Sequence, residues 1–467
     1  MSDSDVAGSV WATVKAAIHG AEFDYTEGPI GRAIVLLAIP MVLEMLMESV
    51  FSLVDIFFVA RLGVDAVAVV GLTESIMTIV YVIAMGLGIG ASAMVARRIG
   101  EGEPDAASHT ASQALALGGI LALLIGAVGV VFASDILALM GASPASIDSG
   151  AGYTRMMLGG NVVVLLLFLV NAVFRGAGDA AIAMRVLWLA NIINIILCPC
   201  LINGYGPFPE LGITGAAVAT TIGRGIGAVY AISRLLRGNG RLKILRRHLP
   251  LDTALMGRLL RLSGNGMIQM FLGMASWIAL VRIVSLFGNT AVAGYTVGIR
   301  LVIFALLPSL GLGNAAATMV GQALGAGKPE RAERAVWIAA FVNMGFLGAI
   351  GLLFILIPET LIGFFTDDPA VVPIAVDSLR IVAYGFLFYA FEMVITQAFN
   401  GAGDTRTPTL INFFAHWVLQ IPLAWTLAVP LGLGPDGVFL AITITYAAMG
   451  VVGALLFRQG RWKTRVV

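Results

Sequence analysis

The chain repeats itself 225 residues apart, and both copies consist of long apolar runs. Gly86-Leu87-Gly88 returns as Gly311-Leu312-Gly313, with Ala91/Ala316 and Met94/Met319 in register behind it. Gly100-Glu101-Gly102-Glu103-Pro104 returns as Gly325-Ala326-Gly327-Lys328-Pro329. Phe174-Arg175-Gly176-Ala177-Gly178-Asp179 returns as Phe399-Asn400-Gly401-Ala402-Gly403-Asp404. One offset that serves three separate motifs marks a duplication, not shared composition. A duplicated bundle of apolar spans is the plan of many secondary transporters, whose cargo site lies between the repeats.

Charged residues make up 12% of the chain and apolar ones 59%, whereas a soluble domain carries about 25% charged residues. Uninterrupted apolar stretches of roughly 20 residues suit membrane helices. Twelve can be counted, at approximately 34–60, 67–95, 111–133, 150–173, 184–203, 213–236, 260–286, 291–320, 335–357, 374–399, 409–430 and 437–457. The expected fold is an all-α integral membrane protein with twelve transmembrane helices in two parallel six-helix repeats. Six spans is an even number, so both copies enter from one side and are related by an axis along the membrane normal. The division that follows is an N-terminal segment 1–33, an N-lobe 34–236, a basic linker 237–257, a C-lobe 258–457 and a basic tail 458–467.

Lys and Arg set the orientation. With both termini inside, Arg97, Arg98, Arg175, Arg185, Lys328, Arg331, Arg334 and Arg406 fall in cytoplasmic loops, and the linker and tail add further basic residues. The outer loops then hold acids, Asp135, Asp148, Glu210, Glu359, Asp367, Asp368 and Asp436, with Arg61 as the basic exception. This is a positive-inside pattern and places both termini in the cytoplasm. Residues 1–30 have no long apolar core and so do not form a cleaved signal peptide. Val10, Trp11, Val14 and Ile18 would line one face of a short interfacial helix, the alternative being a disordered tail.

A net charge of +1 gives no reason to expect a nucleic-acid partner. Cys198 and Cys200 flank Pro199 within one span, without the spacing of a redox pair or the partners of a metal site, and read as buried and unreactive. No nucleophile–base set appears, so an enzyme is not expected, nor a cofactor. Gly86-x-Gly88-x-Gly90 lies in an apolar span with no strand before it, which leaves helix packing as its reading. In the Gly-Ala-Gly-Asp segments glycine permits a tight turn, and Asp179 and Asp404 are placed to cap the next helix.

The first span carries Glu44, Glu48 and Asp55. At 100° per residue, Glu48 sits roughly 40° and Asp55 roughly 20° from Glu44, so the three share one narrow face. An ionised acid at the membrane centre costs on the order of 3 kcal/mol on insertion scales. Protonation, a bound cation or a buried arginine relieves that cost; the first two would couple the protein to an ion gradient. Arg224, Arg282, Arg300 and Arg380, all inside spans, are the candidate partners for the third route. In the second copy the positions equivalent to Glu44, Glu48, Asp55 and Glu74 are Gln269, Gly273, Leu280 and Ile299. An acidic stripe confined to one copy points to an ion site in the N-lobe. Asn191 and Asn194 in the fifth span, with Thr220 and Thr221 in the sixth, offer further oxygen ligands, although such groups also bridge helices. The C-lobe offers Gln269, Arg300, Glu392 and His416 for substrate or a second site; Glu392 is its one deep acid, and pairing with Arg380 or Arg300 is the alternative reading.

Leu53-Val54-Asp55-Ile56-Phe57-Phe58-Val59 with Leu62-Gly63, the paired Gly-Ala-Gly-Asp loops and the Gly-x-Gly-x-Pro loops resemble the multidrug and toxic compound extrusion family over about residues 30 to 460. The resemblance implies a V-shaped pair of six-helix lobes that exports organic cations in exchange for inward H⁺ or Na⁺. It also implies that Asp55 matches the family's functional first-span aspartate and Asn194 its fifth-span asparagine. Where the family often has Asn, three residues, Asp and Pro, this chain reads Asn194-Ile195-Ile196-Leu197-Cys198-Pro199. Cysteine at the second acid position leaves fewer hard oxygen ligands, which favours H⁺ over Na⁺ and raises Glu44 or Glu48 as the missing carboxyl.

The expectation is therefore an antiporter of a prokaryotic inner membrane, a monomer in the bilayer, exporting amphipathic, cationic small molecules. The runner-up is a lipid-linked saccharide flippase of related architecture, which would need a cationic cavity for pyrophosphate.

Overall fold

In hydrocarbon every backbone N–H and C=O must find a protein partner, and a continuous apolar run of about 20 residues finds it by forming a helix. The computed structural model describes residues 3–60, 64–238 and 240–465, and no strand occurs among them. A helix α1 (Asp3–His19) precedes the first copy, which comprises α2 (Ile30–Ala60), α3 (Val64–Gly100), α4 (Pro104–Leu139), α5 (Pro144–Gly159), α6 (Asn161–Ala177), α7 (Ala180–Asn203) and α8 (Ile213–Arg237). The second copy comprises α9 (Thr253–Val284), α10 (Asn289–Gly325), α11 (Pro329–Leu356), α12 (Pro358–Gly363), α13 (Val372–Ala383), α14 (Phe386–Gly401) and α15 (Arg406–Asn412). It continues through a π-helical stretch, Phe413–Gln420, into α16 (Ile421–Ala428) and then α17 (Pro435–Arg458). Among the described residues eleven helical stretches are long and apolar enough to cross a membrane, and α13 with α14, bent by 57°, makes a twelfth.

The helices outrun the apolar stretches at the end of the bundle where the basic residues gather. α3 continues to Gly100 and α10 to Gly325, while Pro104 and Pro329 each open the next helix. Proline suits that first helical position because its missing N–H would be unpaired there anyway. Arg97, Arg98, Arg175, Arg185, Arg331, Arg334 and Arg406, expected in loops, consequently stand on the ends of helices.

Three apolar cores hold the bundle. One is built mainly from the first copy, joined by Leu255 and Leu259 of α9, and a second lies within the second copy. The third is shared: Ala33, Leu37 and Met41 of α2 pack with Ala316, Met319, Ala335 and Phe399 of the second copy. The glycines of the first repeated motif make this exchange possible. A Cβ on Gly311 of α10 would lie 2.7 Å from the Val42 backbone nitrogen of α2. Its equivalent, Gly86 of α3, faces the Met267 backbone of α9 at 2.6 Å in the same way. The first helix of each copy thus leans on the second helix of the other.

At the basic end the two copies touch directly. A Cβ on Gly100 would fall 2.0 Å from the Gln322 carbonyl oxygen, and one on Gly325 would fall 2.2 Å from that of Arg97. These contacts are equivalents of each other under the 225-residue repeat, so α3 and α10 cross here through bare backbone. Gln322 Nε2 donates to the Gly176 carbonyl at 3.0 Å, and Thr318 Oγ1 to that of Arg175 at 2.9 Å.

The end of α1 and the segment after it strap this crossing. Arg185 of the first copy donates to the carbonyls of Ile18 and His19, and Arg241 of the linker to that of Phe23. From the second copy, Arg331 donates to the carbonyls of Tyr25, Glu27 and Gly28, and Lys328 to that of Thr26. On the tail, Trp462 is buried and stacks on Phe457 at 4.6 Å. Arg465 reaches Asp404 at 3.3 Å, and its carbonyl accepts from Arg97 at 2.7 Å. Both ends of the described chain therefore lie at the basic end.

Some local expectations change. The segment before α2 is helical: Trp11 projects outward and Ala17 is buried, while the side chain of Val10 lies outside the described residues. Asp179 makes no side-chain cap; it accepts the Arg241 backbone N–H at 2.8 Å and ties the linker to α7. Asp404 likewise engages Thr407 and Arg465. The turns themselves are as expected, with Gly178 at φ 89° and Gly403 at φ 81°. Cys198 is buried and Cys200 is half-buried, and neither forms a disulfide.

Candidate functional site

Between the copies, just beyond the helix crossing, lies a cavity of about 530 Å³. The first copy supplies most of its wall from α2, α3, α6, α7 and α8, and the second adds Met270, Leu307, Leu310, Asn314, Gln397 and Asn400. Its lining is largely apolar, with Met45, Phe51, Tyr81, Met85, Met157 and Phe168, and the charged side chains among it are Glu44, Glu48, Glu74, Arg175 and Arg224.

Glu44 and Glu48 of α2 line this space, and both carry arginine partners. Glu44 Oε1 accepts from Arg175 Nη1 at 2.6 Å and from Asn171 Nδ2 at 3.1 Å. Glu48 Oε1 accepts from Arg224 Nη2 at 2.9 Å, and its Oε2 accepts from Asn191 Nδ2 at 3.2 Å. Arg224 is 2% exposed and lies between two aromatic faces, 5.1 Å from the Phe51 centroid and 5.5 Å from that of Phe168. Of the three routes by which a buried acid is relieved, arginine pairing is the one taken by Glu44 and Glu48. Arg224 was among the candidate partners; Arg175 was not, because the short motif that contains it reads as a loop. Arg282 and Arg300 are exposed, and Arg380 pairs with Glu359 at 3.1 Å.

A signal for the missed partner stands in the repeat. Glu44 and Arg175 become Gln269 and Asn400 in the second copy, and Glu48 and Arg224 become Gly273 and Met449. Each acid disappears together with its base, as a paired charge would.

Glu74 lines the cavity on α3 and its charge acts on Arg224. Asn194 Nδ2 donates to Thr220 Oγ1 at 2.8 Å, and so braces α7 against α8. Thr221 donates to the Ala217 carbonyl at 2.8 Å, turned towards Gly160. The backbone of Asp55 continues α2, but its side chain, with Arg61, Leu62 and Gly63, lies outside the described residues.

In the second copy, Glu392 is buried and accepts from Thr396 Oγ1 at 2.6 Å, not from an arginine. Tyr389 and Tyr446 stack at 3.7 Å beside it, and the His416 ring lies 5.8 Å from that of Tyr446 and 2.9 Å from Gln420 Oε1. Glu392 and His416 thus belong to one buried polar group joined through tyrosines. Gln269 is buried with its Oε1 unpartnered among the described residues, and Arg300 stands exposed on α10 outside the cavity wall. No group of three or more His, Cys, Asp or Glu able to hold a metal ion occurs among the described residues.

Known proteins resemble this chain over most of its length. The chain is 28% identical over 443 residues to the "Probable multidrug resistance protein YoeA" of Bacillus subtilis (strain 168), covering 93% of this chain and 95% of that protein. It is 28% identical over 428 residues to an FAD transporter of Shewanella oneidensis, covering 91% and 93%. Its fold matches the outward-facing conformation of a multidrug resistance MATE transporter with a TM-score of 0.88 at 25% identity, over 93% of this chain and 96% of the other. The MatE family model matches twice, at residues 40–200 and 266–426, once in each copy. The chain is thus a member of the multidrug and toxic compound extrusion family, a multi-pass membrane transporter built from two family units.

Proposed function

We propose that the protein is a secondary antiporter of a prokaryotic inner membrane, exporting amphipathic, cationic small molecules in exchange for inward H⁺ or Na⁺. The cavity between the copies carries this reading. It is roomy, lined by methionine and aromatic side chains that adapt to varied apolar shapes, and holds more carboxylates than guanidiniums. The crossing of α3 and α10 closes the basic end, so the state described is the outward-facing one if that end is cytoplasmic. Alternating access requires that crossing to part.

Asp55 is the coupling candidate, since Glu44 and Glu48 already hold arginine partners. Occupancy of Asp55 by the ion drives transport only through differential affinity for the two states. The driving force suffices, because one charge crossing 100 mV is worth about 2.3 kcal/mol. A flippase of lipid-linked pyrophosphates would need an uncompensated cationic cavity, and both arginines here carry glutamates. Efflux of a fluorescent organic cation from proteoliposomes, under separate pH and Na⁺ gradients, tests the reading. Ion-driven transport by the wild type that falls to the leak rate in Asp55→Asn is expected, with H⁺ the effective ion. Full transport by Asp55→Asn would remove that residue from the mechanism.

A further inference from the structure

Two arginines are poor companions for a cavity that binds only cations. Each repels such a substrate, and each had to be desolvated. Arg224 is the more informative, because its bonding is incomplete. It spends Nη2 on Glu48, while Nε and Nη1 are buried without a hydrogen-bond partner among the described residues. A buried donor left unmade is costly, and more so on a charged group. The same wall holds unpartnered acceptors, Glu44 Oε2 and Asn171 Oδ1. Charge decides what fits. The described side chains that line the cavity carry one more carboxylate than guanidinium, which disfavours a purely anionic cargo. A zwitterion adds no net charge and meets both signs.

We propose that the preferred cargo is amphoteric: an aromatic molecule whose carboxylate or other oxyanion engages the unused N–H groups of Arg224, while its cationic end faces the acids of α2 and α3. The flat faces of Phe51 and Phe168 flank the guanidinium, so an anion bound there sits beside stacking surfaces that suit an aromatic body. Glu48 holds the arginine in place between cargoes and prevents an uncompensated charge in the empty cavity. This inference rests on the export reading and narrows its substrate class.

A matched pair of dyes separates the two ideas. Rhodamine 6G is a cation, and rhodamine 19 is the same molecule with its ethyl ester cleaved to a carboxylate. Binding of each to the purified protein in nanodiscs is read by fluorescence anisotropy at neutral pH. Wild type should bind the acid at least about tenfold more tightly than the ester, the worth of a charge-assisted hydrogen bond. Partition into lipid favours the ester, so the expected order runs against the trivial one. In the double variant Glu48→Gln with Arg224→Gln the preference for the acid, read as the ratio of the two affinities, should vanish. Equal or tighter binding of the ester by wild type would overturn the inference and leave cation export standing. Binding of neither dye would overturn both. A preference for the acid that survives in the double variant would also overturn the assignment to Arg224. The wild-type ratio is decisive even if the variant cannot be purified.

Discussion

Two glutamate–arginine pairs, Glu44 with Arg175 and Glu48 with Arg224, join the membrane-spanning helices around the cavity. Removing one member of a buried pair leaves the other uncompensated, at a cost of about 3–5 kcal/mol, whereas neutralising both is far milder. Glu48→Gln alone should therefore lower thermal stability markedly, and the double variant with Arg224→Gln should recover most of the loss. Melting curves in one detergent would measure both; a double variant no more stable than the single would break the pairing argument. The acids were legible in the sequence because any carboxylate inside an apolar span stands out. Arg224 was legible for the same reason. Arg175 was not, since an arginine at the edge of an apolar run looks like a loop residue until the helix is known to continue through it to Ala177. Only the joint loss of Glu44 and Arg175 from the second copy could have revealed it.

At the scale of elements, the number and order of spans followed from apolar run length, and the ends did not. Apolarity stops where hydrocarbon stops, but hydrogen bonding carries a helix onward, as in α3 and α10 beyond residues 95 and 320. These overhangs build the α3–α10 crossing. Gly100 and Gly325 had been visible only as members of a repeated motif, and their use appears once each is found against the backbone of the other copy. Gly100→Leu cannot be accommodated without moving α3 away from Gln322. The variant should fold, because the cores of both copies are untouched, and should hold the basic end open. Labelling of a cysteine placed at Gln322 should then run at least about tenfold faster than in the parent, since a closed gate admits reagent only through rare openings. An unchanged rate would mean that the crossing is not the barrier.

At the scale of the whole molecule, duplication made the architecture readable: one offset gave the two copies, and the even number of spans made them parallel. What no repeat could disclose is how the copies are tied. α2 shares a core with the second copy, α9 leans on the first, and residues 18–28 lay their carbonyls across arginines from both. The basic residues that read as a topology signal thus also clasp the closed end. Truncation before Ile30 should weaken that clasp and favour the open-gate state. In the proposed transport cycle the two copies move against each other about the cavity and part at the α3–α10 crossing. Spin labels at the exposed positions Glu103 and Glu330, at the starts of α4 and α11, report that separation most directly, with Cys198 and Cys200 replaced by alanine. In nanodiscs the account predicts two distances, the shorter matching the closed crossing. Their populations should shift with acidification and with added organic cation, and the longer should dominate in Gly100→Leu and in the truncated chain. A single distance that stays fixed through every condition, while Gly100→Leu adopts a longer one, would contradict it.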